Sequence, residues 1–185
     1  MTDEERLIKL LAERSTKTGQ FTLASGKQSK YYIDARLTTM SPEGLSLIGR
    51  IALSRLGQSG WSVDSVGGLT LGADPISYAI SYASAESSKP LRAFTVRKEA
   101  KTHGTGKTIE GPFQPEDRVA VIEDVITTGG SALRAIEAVR AGRGTVAGVL
   151  ALVDREEGGR QAIESAGVPV ISIVSANEII KALEM

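Results

Sequence analysis

The stretch VAVIEDVITTGGSA, residues 119–132, decides the fold class and indicates the kind of site that the chain builds. Its first four residues are apolar, which is typical of a strand buried on both faces of a parallel sheet. Two adjacent carboxylates, Glu123 and Asp124, follow at once. The small residues of 127–131, Thr-Thr-Gly-Gly-Ser, then form a turn that leads into a predicted helix. The stretch therefore combines a buried strand, an acidic pair and a turn able to wrap an anion.

The rest of the chain repeats this alternation of apolar strands and amphipathic helices. Continuous Val, Ile and Leu strands between helices predict an α/β fold, with a central, mostly parallel sheet and helices on both faces. The capping box of Thr2 and Glu5 predicts a first helix over about 3–16. The predicted strands are KYYIDAR (30–36), SVGGL (65–69), LRAFTVR (91–97), RVAVIE (118–123), TVAGVLALVD (145–154) and VPVISIVS (168–175).

Bulk composition excludes several classes of function. The chain has 185 residues and is 41% hydrophobic, which suits a single folded domain. Lys plus Arg and Asp plus Glu both number 22, so neither a nucleic-acid nor a membrane partner is expected. The absence of cysteine rules out disulfides, thiolate metal sites and a cysteine nucleophile. With no signal-peptide pattern and no membrane-spanning run, we expect a cytoplasmic protein.

The acidic pair and the turn after it suit two parts of one ligand. Backbone N–H groups at a turn entering a helix, together with Thr and Ser hydroxyls, form a nest for an anion such as phosphate. Carboxylates only accept hydrogen bonds, so Glu123 and Asp124 suit vicinal hydroxyls, a metal ion, or both. A ribose 5-phosphate would use both halves of the motif. The plainer alternative, a capped turn beside solvated acids, stays open on this stretch alone.

The segment EAKTHGTGKTIEGPFQP, residues 99–115, breaks the alternation. It has three glycines, two prolines and no apolar period, which predicts a long exposed loop between two strands. A P-loop would need a further glycine where Lys101 stands, and no G-x-G-x-x-G pattern is present. Cations that would suit a mobile flap over a polyphosphate cluster around its start, namely Arg97, Lys98, Lys101, His103 and Lys107.

Three segments together resemble one enzyme family. VAVIEDVITTGGSA (119–132) resembles the ribose-phosphate motif of the phosphoribosyltransferases. RKEAKTHGTGKTIEG (97–111) is similar to the catalytic loop of the orotate phosphoribosyltransferases, and FTLASGKQSKYYID (21–34) to their N-terminal signature. The segments occur in the family's order, and the resemblance covers essentially the whole chain. It implies a type I phosphoribosyltransferase fold in one domain, with a hood contributed by residues about 1–40 and a mobile catalytic loop at about 99–115.

The resemblance also implies a reaction and an assembly. The family transfers the phosphoribosyl group from 5-phosphoribosyl 1-diphosphate to orotate, giving orotidine 5′-monophosphate and pyrophosphate in pyrimidine nucleotide synthesis. Mg²⁺ is expected mainly on the diphosphate and ribose oxygens, with no direct protein ligand. We expect a homodimer with shared active sites, in which some loop residues reach in from the partner.

Site roles implied by the resemblance fall into three groups. Catalysis is expected from Lys101, His103 and Asp124. Orotate binding is expected from Thr127 and Arg155, and from Tyr32 and Ile33 unless these two pack the hood against the sheet instead. The residues expected to bind phosphoribosyl diphosphate are Arg97, Lys98, Lys101, His103, Glu123, Asp124, Val125, Ile126, Thr127, Thr128, Gly129, Gly130 and Ser131.

Two departures from the family pattern concern the grip on the diphosphate. Many relatives have Lys where this chain has Ala24, and nearby Lys27 is a candidate replacement. Some relatives carry Tyr-Lys where this chain reads Leu71-Gly72. A purine phosphoribosyltransferase and a nucleic-acid-binding sensor of phosphoribosyl diphosphate are the alternatives. The N-terminal signature and Arg155 argue against the first, and the intact loop argues against the second.

Overall fold

The structure, a computed structural model, describes residues 1–22, 26, 28–99 and 108–184. The strands are β1 Thr16–Thr22, β2 Gln28–Ile33, β3 Ser65–Leu69, β4 Arg92–Val96, β5 Ile109–Glu110, β6 Arg118–Ile126, β7 Thr145–Asp154 and β8 Val170–Ser175. The helices are α1 Asp3–Leu10, α2 Arg36–Thr39, α3 Pro42–Gln58, α4 Ala73–Ala83, α5 Gly130–Ala141, α6 Gly159–Ser165 and α7 Ala176–Leu183. A π-helical turn, Leu11–Ser15, extends α1.

The central sheet has six strands in the order β5-β4-β3-β6-β7-β8. The five strands from β4 to β8 in this order are parallel, and the edge strand β5 runs antiparallel to β4. Strand β6 lies between β3 and β7, so both of its edges are paired and it is buried along most of its length. This position explains why its sequence is a continuous apolar run.

Helices cover both faces of the sheet. Helices α1, α3, α4 and α7 pack in one apolar cluster, and α5 and α6 pack in the other. Side chains of β6 alternate between them, with Ala120 and Ile122 in the first cluster and Val119 and Val121 in the second. The predicted fold class is therefore confirmed. Within the described residues, every helix is too short or too polar to cross a bilayer.

The N-terminal region forms a small second sheet beside the main one. Strands β1 and β2 pair antiparallel, and the backbone N–H of Asp34 donates to the carbonyl of Ser15 at 2.8 Å to close the hairpin at its base. Helix α1, in contrast, packs against α3 and α7 in the helical layer of the main sheet. The hairpin is thus the part of residues 1–40 that stands apart, and the extent of the hood stays a prediction.

Three local features differ from the sequence prediction. Strand β1 was not predicted, because TKTGQFT is polar and its side chains are mostly exposed. The predicted strand over 30–36 ends at Ile33, and Arg36 opens α2 instead. The predicted loop over 99–115 is not continuous, because Ile109–Glu110 pairs with the open edge of β4. Residues 100–107 of that loop lie outside the described part of the chain.

Asp64 ties together the strand ends that lie opposite the predicted site. Its Oδ2 accepts hydrogen bonds from the backbone N–H of Arg118 at 2.9 Å and from Nε of Arg118 at 3.0 Å. Its Oδ1 lies 2.8 Å from Nζ of Lys89, just before β4. The hydrogen bonds from Arg118 and Lys89 hold the pKa of Asp64 well below its usual range. One carboxylate thereby joins the beginnings of β3, β4 and β6.

We predict that Asp64→Asn lowers the free energy of unfolding by about 1–3 kcal/mol at neutral pH, because it removes a charged acceptor with four donors. A lowered folded-state pKa contributes stability above the unfolded value, so the deficit should narrow as pH falls below about 4. Urea unfolding across pH measures it. The control is Glu13→Gln, which breaks an exposed pair with Lys9. An equal loss in both variants, or a deficit that does not change with pH, would contradict the prediction.

Candidate active site

A cavity of about 580 Å³ opens at the carboxyl ends of β3, β6 and β7, under the hairpin. This is the edge of a parallel sheet at which ligands bind. Six segments form its wall: the end of β1, the end of β2 with the start of α2, the loop after β3, Lys98 after β4, the end of β6 with the turn after it, and the first residue after β7. The lining residues are Thr22, Tyr32, Ile33, Asp34, Ala35, Arg36, Leu69, Thr70, Leu71, Gly72, Lys98, Glu123, Asp124, Val125, Thr127, Thr128, Ser131 and Arg155.

The acidic pair lies within β6 rather than after it. The strand continues to Ile126 because Val125 and Ile126 pair with Val153 and Asp154 of β7. Glu123 is only 8% exposed, whereas Asp124 is half-buried. Burial, followed by the charge of Asp124 and a hydrogen bond with it, raises the pKa of Glu123 well above its usual range. Burial therefore favours the uncharged form of the Glu123 carboxyl in the ligand-free site.

The loop between β3 and α4 is held against the acidic pair. A Cβ atom at Gly72 would overlap the carboxyl group of Asp124, so the backbone approaches that side chain more closely than any other residue allows. Thr70 Oγ1 donates to Asp74 Oδ2 at 2.7 Å, and Thr95 Oγ1 donates to Asp74 Oδ1 at 2.8 Å. Asp74 is buried, so this contact anchors the start of the loop to α4 and β4.

The turn after β6 has the geometry of an anion nest. Gly129 has φ 82°, a left-handed conformation that favours glycine, and α5 begins at the next residue. Thr127, Thr128 and Ser131 line the cavity, and the backbone N–H groups at the start of a 12-residue helix are available there. The side chain of Ile126, in contrast, is buried in the second apolar cluster, and its carbonyl accepts a hydrogen bond from the Arg155 backbone.

Arg155 joins the hairpin to the sheet. Its side chain is 3% exposed, and Nη2 lies 2.8 Å from Oε1 of Glu157. Nη2 also donates to Oγ of Ser29 at 3.2 Å, and the guanidinium lies 4.6 Å from the ring centroid of Tyr31. Burial is the main cause that raises the pKa of Tyr31. The guanidinium is therefore fixed by partners from both parts of the molecule and forms one wall of the cavity.

The structure brings most of the sequence-predicted residues into this cavity and leaves others outside it. Tyr32, Ile33 and Lys98 line it together with the acidic pair, the turn and Arg155. Arg97 does not line it. Its Nη1 instead lies 3.5 Å from Oε1 of Glu110, and its Nε donates to the carbonyl of Glu99 at 3.4 Å. Gly129 and Gly130 do not line the cavity either. Lys101, His103, Ala24 and Lys27 lie outside the described residues.

Four polar residues of the wall are not among the predicted site residues, namely Thr22, Asp34, Arg36 and Thr70. A single predicted strand over KYYIDAR gives Asp34 and Arg36 no separate role. The Asp-x-Arg spacing was the available signal, since an acid and an arginine two residues apart at a strand end often pair. Thr70 gave no signal of its own.

Comparison with known proteins now adds to this geometry. No family model matches the chain. An orotate phosphoribosyltransferase of Aquifex aeolicus is 47% identical over 183 residues, covering 97% of this chain and 99% of the relative. The orotate phosphoribosyltransferase of Mycobacterium tuberculosis H37Rv, in complex with Fe(III) dicitrate, has a TM-score of 0.83 at 41% identity, covering 96% of this chain and 99% of that one. The same enzyme in complex with 5-phospho-alpha-D-ribosyl 1-diphosphate has a TM-score of 0.78 at 38% identity, covering 96% and 99%.

The sheet, the acidic pair and the turn that enters α5 define a type I phosphoribosyltransferase. The relatives just described are more than a third identical to this chain over nearly its full length, and what they are narrows this class further. The chain belongs to the orotate phosphoribosyltransferase family. The resemblance found in three sequence segments is thereby confirmed, and with it the transfer of a phosphoribosyl group to orotate in pyrimidine nucleotide synthesis.

We predict that Glu123→Gln raises the free energy of unfolding at neutral pH by at least about 1 kcal/mol. A raised folded-state pKa contributes stability that is complete below the unfolded value of 4.5 and is lost as pH rises toward the folded value. The variant escapes that loss, so its advantage over the wild type should grow from about pH 5 to about pH 7. Urea unfolding of the ligand-free protein measures this difference.

The control for this measurement is Asp124→Asn, which removes the neighbouring charge but leaves the buried glutamate in place. Its stability should differ less from the wild type at neutral pH than that of Glu123→Gln. A Glu123→Gln variant that loses its advantage as pH rises would show that Glu123 is ionised and well paired in the folded protein.

Proposed function

We propose that this cavity is where the orotate phosphoribosyltransferase reaction takes place, and that the residues lining it hold both substrates. The observation that supports the proposal is that one cavity is lined by an acidic pair, an anion nest and a fixed arginine. These three features suit a diol, a phosphate and a carboxylate respectively. Phosphoribosyl diphosphate offers the first two groups and orotate offers the third.

The ribose and its 5-phosphate take the end of β6 and the turn after it. The hydroxyls at C2 and C3 donate to Glu123 and Asp124, which accept them when ionised. A protonated Glu123 can also donate, so the pair suits hydroxyls that both give and take hydrogen bonds. The phosphate lies in the nest at the start of α5. The residues assigned to this half are Glu123, Asp124, Val125, Ile126, Thr127, Thr128, Gly129, Gly130 and Ser131, with Ile126 contributing through its backbone.

Orotate takes the wall formed by Arg155 and the end of β2. A guanidinium is suited to a planar carboxylate, and burial of Arg155 strengthens that interaction because little water competes. Thr127 contributes a second polar contact. Tyr32 is partly exposed in the cavity, and Ile33 is buried beneath it, so we assign the ring contact mainly to Tyr32.

The diphosphate takes the remaining side, near Lys98 and the loop of Thr70, Leu71 and Gly72. As the bond from C1 to the diphosphate oxygen breaks, negative charge collects on the leaving group while C1 gains oxocarbenium character. The bond from C1 to the orotate ring nitrogen forms as that charge departs, and the proton of that nitrogen passes to the leaving pyrophosphate or to water. Cations stabilise the separated charges without a covalent intermediate, and we assign this role to Arg97, Lys98, Lys101 and His103.

Mg²⁺ fits this site as an ion carried mainly by the substrate. Within the described residues, no group of three or more His, Cys, Asp or Glu side chains is placed to hold a metal ion. An ion bound through diphosphate and ribose oxygens needs no such cage, since Mg²⁺ is commonly bound through substrate phosphates. When bound, Mg²⁺ would neutralise part of the diphosphate charge. Asp124 would hold the ribose hydroxyls next to it.

A cytoplasmic location stays a prediction from the sequence.

The assembly we propose is a homodimer whose subunits share their active sites. Leu71, Tyr78 and Tyr82 are exposed large apolar side chains, and Tyr82 is 86% exposed. Tyr78 and Tyr82 are four residues apart in α4 and therefore lie on one face of it. An apolar groove of about 540 Å³ between α3 and α4 adjoins them. Leu71 also lines the active-site cavity, so a second copy seated on this face would reach the cavity rim.

The activity is tested by supplying phosphoribosyl diphosphate and Mg²⁺ with orotate, uracil, hypoxanthine or adenine and measuring pyrophosphate release. We expect turnover with orotate and a kcat/KM for uracil at least about 100-fold lower, because uracil leaves the guanidinium without its carboxylate. EDTA should stop the reaction, and added Mg²⁺ should restore it.

The matched variant is Arg155→Gln, which should raise the KM for orotate more than the KM for phosphoribosyl diphosphate and should shrink the preference over uracil. Turnover of a purine without turnover of orotate would refute the proposed function. An Arg155→Gln effect confined to phosphoribosyl diphosphate would refute the role assigned to Arg155.

Shared active sites are tested by mixing two inactive variants, Lys101→Ala and Asp124→Asn. If Lys101 acts across the interface, half of a random mixture is mixed dimers with one intact site, so about a quarter of wild-type activity should return. Mixing Lys101→Ala with His103→Ala, both on the same loop, should restore nothing. Verified mixed dimers of the first pair without activity would show that each subunit builds its own site.

A further inference from the structure

The described wall of the cavity carries few cations, although phosphoribosyl diphosphate carries three phosphate groups. The cationic residues among the described lining are Arg36, Lys98 and Arg155. Arg155 is buried, paired with Glu157 and assigned to orotate. Lys98 and Arg36 are therefore the described cations that can bind the phosphate and the diphosphate at the two ends of the sugar.

The loop at the diphosphate side supplies no positive charge of its own. Its residues are Thr70, Leu71 and Gly72, and some relatives carry a lysine at the last of these positions. The carboxyl group of Asp124 occupies the space that a Cβ atom at position 72 would need, so a side chain here would require that carboxyl group to shift. Within the described lining, Lys98 and Arg36 are the cations that can offset the charge of the diphosphate beside the loop residues assigned to it.

Arg36 is exposed yet held in one orientation at the wall formed by the hood. Its Nε donates to Oδ1 of Asp34 at 2.8 Å, and its Nη2 donates to Oδ2 at 2.9 Å. The backbone N–H of Arg36 also donates to Oδ1 at 3.2 Å. Ile33 and Ala35, on either side of Asp34, are buried in the apolar core, which fixes the backbone that leads into Arg36. Within the described part of the chain, Nη1 makes no hydrogen bond, so one edge of the guanidinium remains for a ligand.

The position of Arg36 along the hood separates it from the orotate wall. Ser29 and Tyr31, earlier in β2, contact Arg155 at the end of β7. The chain then crosses the cavity, and Arg36 follows the end of β2. The hydrogen bond to Asp34, with smaller contributions from the charges of Asp34, Tyr32 and Asp124, raises the pKa of Arg36. Arg36 lines the cavity together with the acidic pair and the loop after β3.

We propose that Arg36 is a substrate-contacting residue that binds the diphosphate of phosphoribosyl diphosphate through the guanidinium edge that Asp34 leaves open. The bidentate pair with Asp34 presents that edge in a fixed plane, which suits the oxygens of a phosphate group. Arg36 supplies from the hood the charge that Gly72 cannot supply from the loop. This inference rests on the proposed function, because it takes the ligand of the cavity to be phosphoribosyl diphosphate.

The test compares full-length wild type with Arg36→Gln and Arg36→Lys in binding and turnover. We expect Arg36→Gln to raise the KM for phosphoribosyl diphosphate and the inhibition constant of free pyrophosphate by about 10- to 100-fold, the range for a lost charged hydrogen bond. The KM for orotate and the dissociation constant of ribose 5-phosphate, which lacks the diphosphate, should change by less than about twofold. The KM for phosphoribosyl diphosphate and the pyrophosphate inhibition constant of Arg36→Lys should lie between those of the wild type and those of Arg36→Gln.

The control is Arg118→Gln. Arg118 forms the same kind of pair with Asp64, Nε to Oδ2 at 3.0 Å, and is about as exposed, but it lies at the opposite end of β6. Arg118→Gln should leave both KM values, the inhibition constant of pyrophosphate and the dissociation constant of ribose 5-phosphate unchanged. Equal pyrophosphate inhibition in Arg36→Gln and Arg118→Gln would overturn the proposal, and so would a rise confined to the KM for orotate.

Calorimetric binding of phosphoribosyl diphosphate separates this proposal from the proposed function. A wild-type protein that binds phosphoribosyl diphosphate but does not turn over orotate would refute the orotate assignment. Arg36 would still be judged on the affinity that Arg36→Gln loses for phosphoribosyl diphosphate and not for ribose 5-phosphate. Equal affinities of both variants and the wild type for phosphoribosyl diphosphate would overturn the role of Arg36 alone.

Discussion

The whole site depends on one carboxyl group, that of Glu123, which is buried near the end of the central strand. Glu123 belongs to β6 and pairs with Ala151 of β7, which holds its backbone beside that of Asp124. Burial disfavours a second negative charge there, and the Glu123 carboxyl is hydrogen-bonded to Asp124 until a ligand brings other partners. A diol is such a ligand. Gly72 has no side chain and therefore leaves room for the carboxyl group of Asp124. The turn before α5 offers a separate place for an anion, which the two acids would repel.

The second organising contact is the buried arginine that joins the hairpin to the sheet. The backbone of Arg155 belongs to the end of β7, where its N–H donates to the carbonyl of Ile126. Its side chain, however, is held by Ser29 and Tyr31 of the hairpin and by Glu157. A buried guanidinium without such partners would be strongly destabilising. The hairpin therefore stabilises the buried charge of Arg155, and the same charge helps to keep the hairpin over the cavity.

The main sheet was predictable from sequence because its strands are continuous apolar runs separated by amphipathic helices. The acidic pair and the turn could also be placed, since the carboxyl ends of parallel strands meet at one edge. Strand β1 could not be predicted, because TKTGQFT has no apolar alternation and depends on pairing with β2. Arg97 and Lys98 show a finer limit. They are neighbours in sequence, yet only Lys98 lines the cavity while Arg97 contacts Glu110 of β5. The contact of Ser29 with Arg155 joins residues 126 positions apart in the sequence, so no local sequence pattern predicts it.

The hairpin occupies a short continuous stretch of chain, whereas the ribose-phosphate half of the site is built from β6 and the start of α5. On the proposed assignment, the choice of base and the handling of the sugar are encoded in separate segments that meet at Arg155. A change in the hairpin can alter which base is accepted without touching the strand that holds the ribose. The architecture is modular in this sense: one inherited sugar-phosphate platform can serve different acceptors as the short antiparallel cover above it diverges.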